Sequence, residues 1–187
     1  HFIHAMRRNL DLTYIVMNNQ IYGLTTGQAS PTTMQEVRTK TTPRGNAELP
    51  INPLSLAIVP GATYVSRGFS GDTKQLTALF AGAIAHKGFA LVDVFSPCVT
   101  YNKINTYPYF KERVYDLAEE EGYDPGDAQA ALGKAFEWGD RIPLGLIYHS
   151  DQPTYEDSDP ILQHGPPVNQ PLGIDQALLD ELLAETM

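Results

Sequence analysis

Val16-Met17-Asn18-Asn19-Gln20-Ile21-Tyr22-Gly23-Leu24-Thr25-Thr26-Gly27-Gln28 is the stretch on which the fold of this 187-residue chain turns. The apolar run before and into it, Leu12-Thr13-Tyr14-Ile15-Val16-Met17, reads as a buried strand of a parallel sheet, where near-continuous apolar residues replace alternation. The run stops at two asparagines, and glycines follow at 23 and 27. Polar amides at the carboxyl end of a buried strand stand where open α/β sheets bind ligands. An Asn side-chain oxygen and a backbone carbonyl two residues later are hard donors of the kind Mg²⁺ takes. Such a metal most often holds a phosphorylated cofactor. Asparagines and glycines after a strand are also ordinary turn chemistry, and taken alone the pair favours the turn.

The surrounding pattern is that of an α/β domain. Residues 2–9 read as a short helix feeding the strand. Residues 25–52 are polar and rich in Thr, Pro and Gly, a loop long enough to expect a function of it. Residues 53–58 form a short helix with proline at its start, ended near Pro60-Gly61, and residues 62–67 a strand rich in β-branched residues. Ser70 or Asp72 caps the next helix, whose apolar stripe is Leu76, Leu79, Phe80, Ala83 and Ile84. His86 and Lys87 close its last turn ahead of Gly88. Residues 89–95 are a buried strand halted by Ser96-Pro97-Cys98. Helix, strand and loop thus occur twice, with loops at 18–28 and 96–106. A parallel sheet puts both on one edge, facing one ligand. Helices are expected near 108–121 and 128–138, and a strand at 144–148. Residues 149–173 are proline-rich and extended. Residues 174–186 form an acidic amphipathic helix with Ile174, Ala177, Leu178 and Leu182 on one side, which should dock on the domain or on a partner subunit. Residues 1–150 form one unit and 151–187 a tail.

Composition limits the function classes. Hydrophobic residues make up 42% and aromatics 10%, as in soluble globular domains, and no apolar run approaches the roughly 20 residues of a membrane span. The net charge of −9 argues against nucleic acid, which needs a basic footprint. Cys98 is the single cysteine, so no internal disulfide exists and a reducing, cytoplasmic setting follows. The chain opens inside an apparent helix and without a signal peptide, so it is expected to be a fragment of a longer protein. His1 and His4 share a helical face but lack further ligands; with His86, His149 and His164 they read as surface or helix-end histidines. Glu119-Glu120-Glu121 reads as a solvated helix end. No Ser/His/Asp order or phosphate-binding glycine motif supports a hydrolase or kinase.

The segment from Met17 through Asn18-Asn19 to Thr32-Thr33 resembles the thiamine-diphosphate site of the 2-oxoacid:ferredoxin oxidoreductases, in their CoA-acylating β subunits. Thr100-Tyr101-Asn102-Lys103-Ile104-Asn105-Thr106, after Ser96-Pro97-Cys98, is a second match in the expected order, and Gly139-Asp140-Arg141-Ile142-Pro143-Leu144-Gly145 a third. The resemblance implies an α/β thiamine-diphosphate-binding fold, of which residues 1–150 are the C-terminal part. It implies Mg²⁺ held by the Asn19 side chain and the Ile21 carbonyl, with Asn18 bracing the loop and Gly23, Leu24 and Thr25 beside the cofactor. The third metal ligand of such sites, an Asp in Gly-Asp-Gly, is absent from this sequence. Leucine at 24, within Tyr22-Gly23-Leu24-Thr25, together with Tyr101-Asn102-Lys103, leans to 2-oxoglutarate over pyruvate or 2-oxoisovalerate. A lone cysteine after a strand is ordinarily a small buried hydrophobe. The resemblance instead makes Cys98 a ligand of a [4Fe–4S] cluster whose other cysteines are not in this chain. It also implies oxidative decarboxylation to acyl-CoA and CO₂ with reduction of ferredoxin, and an α subunit supplying the activating glutamate in an α2β2 assembly. No residue of this chain is then a general base. The rivals are a non-oxidative thiamine enzyme, which needs no cluster cysteine, and a non-catalytic α/β interaction module.

Overall fold

The computed structural model describes residues 1–170, 173 and 175–186. Contacts divide the chain into a unit of residues His1–Tyr155 and a second unit from Glu156 onward.

The first unit is a five-stranded sheet flanked by helices. Its elements are α1 (Phe2–Arg7), β1 (Leu12–Asn18), α2 (Pro53–Ile58), β2 (Tyr64–Phe69), α3 (Thr73–Ala85), β3 (Phe89–Phe95), α4 (Tyr107–Lys111), β4 (Val114–Asp116), α5 (Ala128–Phe136) and β5 (Ile142–His149). The strand order is β1-β3-β2-β5-β4. The pairs β1–β3, β2–β3 and β4–β5 are parallel, and β2–β5 is antiparallel. The sheet is therefore mostly parallel, with helices on both faces. Met6 of α1, Leu54 and Ala57 of α2, and Ala131 and Ala135 of α5 pack with Val65, Leu91 and Ile147 on one face. Leu79 and Ala83 of α3 pack with Tyr64, Val92 and Val94 on the other. A third cluster, Phe69, Phe95, Phe110, Ile142 and Leu144, closes the end of the sheet beneath α4.

Local chemistry explains most boundaries. Asn52 caps α2 by accepting from Leu54 N and Ser55 N, with Pro53 at the first helical position. Asp72, of the two candidates, caps α3 through Gln75 N. Asn9, at φ 47, ends the α1 turn; its Oδ1 accepts from Phe89 N and Thr63 Oγ1, while its Nδ2 donates to the carbonyls of Gln152 and Pro153. Gly88, at φ +120, lies against this hub: a Cβ there would sit 2.5 Å from Asn9 Oδ1.

Several expectations are corrected. β1 is an edge strand among the described residues, not a fully buried one, and Tyr14, Ile15 and Met17 are 45%, 43% and 60% exposed. Its apolar run reflects a surface without a neighbour among the described residues rather than burial on both faces. The helix expected over 108–121 stops after Lys111. Val114 and Tyr115, good strand formers, pair with Ile142 and Pro143 instead, so long-range pairing overrides local helical pattern. Glu120 is not merely solvated: it takes an ion pair from Lys134 at 2.6 Å. Ile84 is exposed, so the α3 stripe is narrower than its periodicity suggests.

In the second unit, α6 (Gln176–Thr186) follows three single 3₁₀ turns at Glu156–Ser158, Leu162–His164 and Pro167–Asn169. Of the residues expected on its apolar side, Ile174 lies outside the described residues, as does the side chain of Leu178, while Ala177 and Leu182 are exposed. No helix among the described residues is long and apolar enough to cross a membrane.

One titration is built into the first unit. The Tyr123 hydroxyl donates to the Ile147 carbonyl in β5, and burial pushes its pKa to about 12. The native state thus holds this proton more tightly than the unfolded chain does, whose tyrosines titrate near 10. The contribution is complete below about pH 10 and is lost as the pH rises toward about 12. Denaturant melts across that range should show a fall in stability that Tyr123→Phe flattens.

Candidate functional site

β1 and β3 run parallel in register, Asn18 opposite Phe95, so the segments after them leave the sheet together. They clasp each other. Asn19 Nδ2 donates to the Ser96 carbonyl, and Asn102 Nδ2 donates to the Asn19 carbonyl at 3.0 Å. Asn102 Oδ1 in turn accepts from Ile104 N and Asn105 N, which shapes its own loop. The loops at 18–28 and 96–106 are thereby brought to one edge, as the parallel arrangement requires.

Asn18 and Asn19 do different things. Asn18 is buried, and its amide is committed on both sides: Nδ2 donates to Asp93 Oδ1 at 3.0 Å, and Oδ1 accepts from Thr32 Oγ1 at 2.8 Å and Gln20 N at 3.2 Å. Asn19 is half-buried. Its Nδ2 is bound to a carbonyl, which only accepts, and this fixes the amide with Oδ1 on the other side. Among the described residues neither Asn19 Oδ1 nor the Ile21 carbonyl accepts a hydrogen bond. Gln20, between them, sits at φ 54, a costly conformation for a residue with a side chain. Thr33 Oγ1 holds it by donating to the Gln20 carbonyl. A strained turn therefore offers two uncommitted oxygens two residues apart, which fits a hard cation.

The segment that follows is a tight turn. Tyr22 and Gln28 form a bridge, Gly27 N donates to the Tyr22 carbonyl, and Gly27 takes φ +96 against the Tyr101 ring. Leu24 at the tip is 99% exposed, and Thr25 Oγ1 donates to Gln28 Oε1. A Cβ on Gly23 would sit 3.0 Å from Cys98 Sγ, so glycine there lets the turn approach the thiol. Gly23→Ala should cost about 1–2 kcal/mol through this crowding. A lowered thermal midpoint and a changed alkylation rate of Cys98 in the apo chain would check it.

Cys98 is half-buried and makes no disulfide among the described residues. Partial burial pushes its thiol up, but the N–H groups of Tyr101, Thr100 and Asn102, aided by the Lys103 charge, outweigh that and bring it below the ordinary value. A thiolate held by a nest of backbone donors fits a metal ligand. No cluster of three or more His, Cys, Asp or Glu that could hold a metal occurs among the described residues. Two oxygens and one thiolate are thus partial shells. His1 and His4 join no such cluster.

Sequence reasoning missed a buried ion pair beneath these loops. Arg67 in β2 and Asp93 in β3 are register partners, 2% and 0% exposed, with Arg67 Nε 3.6 Å from Asp93 Oδ2 and the guanidinium over the Phe95 ring. Burial lowers the Arg67 pKa and raises that of Asp93, in each case against the pull of the partner. A charge inside the apolar run 89–95 was the available signal, since a buried carboxylate needs a partner.

The sequence family described as "Thiamine pyrophosphate enzyme, C-terminal TPP binding domain" matches residues 1–94, and the family of the C-terminal region of the pyruvate ferredoxin oxidoreductase beta chain matches residues 98–164. A "2-oxoacid:ferredoxin oxidoreductase subunit beta" of Saccharolobus solfataricus is 47% identical over 166 residues, 83% of this chain and 54% of that protein. A "2-oxoglutarate synthase subunit KorB" of Archaeoglobus fulgidus is 45% identical over 104 residues, 56% of this chain and 39% of that protein. Among solved structures, the "2-oxoglutarate:ferredoxin oxidoreductase from Magnetococcus marinus with 2-oxoglutarate, coenzyme A and succinyl-CoA bound" superposes with a TM-score of 0.85 at 38% identity. That match covers 97% of this chain and 61% of the other. The chain spans about half the length of the relatives it matches.

Proposed function

Because this chain belongs to the β-subunit family of the 2-oxoacid:ferredoxin oxidoreductases, we propose that its complete enzyme oxidatively decarboxylates 2-oxoglutarate with coenzyme A and passes the electrons to ferredoxin. The family is one of oxidoreductases, and residues 1–94 are of the thiamine-diphosphate-binding type. The substrate, coenzyme A and ferredoxin belong to the proposal. The observation that carries it is the superposition on a 2-oxoglutarate:ferredoxin oxidoreductase across nearly the whole chain.

In this reading Asn19 Oδ1 and the Ile21 carbonyl hold Mg²⁺, and through it the cofactor diphosphate. Their uncommitted state supports the assignment, as does the full commitment of Asn18, which braces the turn. Thiamine diphosphate, when bound, supplies the carbanion and electron sink of the reaction. Gly23 allows the backbone to come close, and Leu24 and Thr25 line the approach to the cofactor. The exposed tip at Leu24 suits contact with the α subunit and the bound 2-oxoacid. Cys98 contributes one thiolate to a [4Fe–4S] cluster, and its stabilisation by backbone N–H groups supports that role. None of the described side chains is assigned as general base; that group lies in the α subunit of an α2β2 assembly, in the cytoplasm.

A second reading, 2-oxoisovalerate or pyruvate as substrate, is favoured by one observation: the relative at 47% identity is named for 2-oxoacids generally. Viologen reduction by the intact complex decides between them. CoA-dependent turnover with 2-oxoglutarate well above that with pyruvate or 2-oxoisovalerate is the expected result. The reverse order overturns the substrate assignment, and no turnover with any of the three overturns the proposal.

A further inference from the structure

Metal and cofactor binding by the two loops leaves the Arg67–Asp93 pair without a task. A pair removed from water on both sides is a poor stabilising device, because desolvation offsets most of the attraction and apolar residues of the same volume serve as well. This pair is also loose. Arg67 Nε and Nη1, Asp93 Oδ2 and Gln20 Oε1 have no hydrogen-bond partner among the described residues, and Arg67, Asp93 and Gln20 line a cavity of about 210 Å³. Among the described residues, the side-chain hydrogen bond that anchors the pair is from Asn18 Nδ2 to Asp93 Oδ1, at 3.0 Å.

That contact has a directional consequence. An Asn amide fits its surroundings either way round unless a neighbour discriminates. A carboxylate only accepts and the Gln20 N–H only donates, so Asp93 from one side and the turn from the other hold Asn18 with NH₂ toward β3 and Oδ1 toward the turn. There Oδ1 receives Gln20 N and Thr32 Oγ1, the two bonds that tie the strained Gln20 to the sheet and the long loop to the turn. Arg67, register partner of Asp93, favours the ionised form on which the discrimination depends.

We propose that Arg67 and Asp93 are positioning residues that lock the Asn18 amide and thereby hold Asn19 and Ile21 in the geometry that binds Mg²⁺. This rests on the reading that Asn19 and Ile21 carry the metal, and it adds a buried charge pair in the centre of the sheet to the apparatus. Neither residue touches the metal or the cofactor; both act through Asn18. Partners bonded directly to metal ligands ordinarily govern affinity by about 10–100-fold, and groups acting one bond further out are expected at the lower end of that range.

The test is a Mg²⁺ titration of cofactor binding, by calorimetry at saturating thiamine diphosphate, on the intact enzyme stripped with chelator. Asp93→Asn replaces the discriminating carboxylate by an amide of the same shape. It should raise the Mg²⁺ concentration for half-saturation about 10-fold, with iron content and subunit association unchanged. The Arg67→Met, Asp93→Asn double variant removes the uncompensated charge but still leaves the Asn18 amide without its charged acceptor on the β3 side. Its thermal midpoint should recover toward that of the parent while its Mg²⁺ requirement stays raised. A requirement that returns to the parent value together with stability, or that never moves in either variant while Asn19→Ala moves it, overturns the inference. If Asn19→Ala also leaves it unmoved, the metal assignment itself fails and the inference fails with it. Should Asp93→Asn alone not fold, the double variant decides.

Discussion

Asn19→Ala is expected to weaken thiamine-diphosphate binding by about 100-fold at limiting Mg²⁺, at the upper end of what loss of an outer partner of a metal ligand costs, and to raise the Mg²⁺ concentration that binding requires. The substitution removes one uncommitted oxygen and also the Nδ2 bond to the Ser96 carbonyl. These two effects separate experimentally. Loss of the metal donor shifts the Mg²⁺ titration to higher concentration, so that the defect shrinks as Mg²⁺ is raised, whereas loss of the loop clasp alone lowers affinity by the same factor at every Mg²⁺ concentration. Asn19→Asp provides the contrast: it keeps an oxygen but removes the donor to Ser96, and should retain metal dependence at reduced affinity. An Asn19→Ala enzyme that binds the cofactor as the parent does, with the same Mg²⁺ requirement, would refute the assignment of Asn19 as ligand.

Cys98→Ser is expected to bring iron content to background and to abolish viologen reduction, with thiamine-diphosphate binding retained. A four-iron cluster is ordinarily held by four thiolates, and this chain has a single one to give. The nest of N–H groups from Thr100, Tyr101 and Asn102 keeps the sulfur ionised at lower pH than an ordinary thiol, which is the form a metal binds. A serine hydroxyl fills the space but does not ionise in that range. The brown absorption and the iron assay read the result directly. A Cys98→Ser enzyme with unchanged iron would show that the thiol is the small buried hydrophobe its type ordinarily is.

The elements most legible from sequence were those whose signals are local. α2 begins at Pro53 and ends at Ile58 because asparagine, proline and the following Pro60-Gly61 each act within a few residues. β3 spans Phe89–Phe95 because a short apolar run between glycine and Ser-Pro leaves little choice. The candidate site was legible as two loops, since parallel β1 and β3 must send their ends the same way. What escaped the sequence was non-local. The failure of the helix after Lys111 depends on Ile142–Leu144 being available to pair with Val114–Asp116. The exposure of β1 depends on strand order, which periodicity does not encode. The bonds of Asn18, to Thr32 14 residues on and to Asp93 75 residues on, belong to the fold alone. Arg67 and Asp93 were hidden for the same reason, although an ionised residue in each of two apolar strands is a hint that they meet.

The clasp between the two loops has a consequence for how such a protein changes over generations. Asn19 gives a side-chain bond to the strand end at Ser96 and receives one on its carbonyl from Asn102, so each loop holds the other's backbone. Substitutions at 19 and 102 therefore share partners, and their effects will not add. A change in the turn at Leu24 is carried on a frame whose other half lies some eighty residues later in the chain. The two segments are expected to drift, recombine and be transplanted only as a pair. A chimera taking 18–28 from one lineage and 96–106 from another inherits a mismatched frame even where every residue that touches the ligand is right.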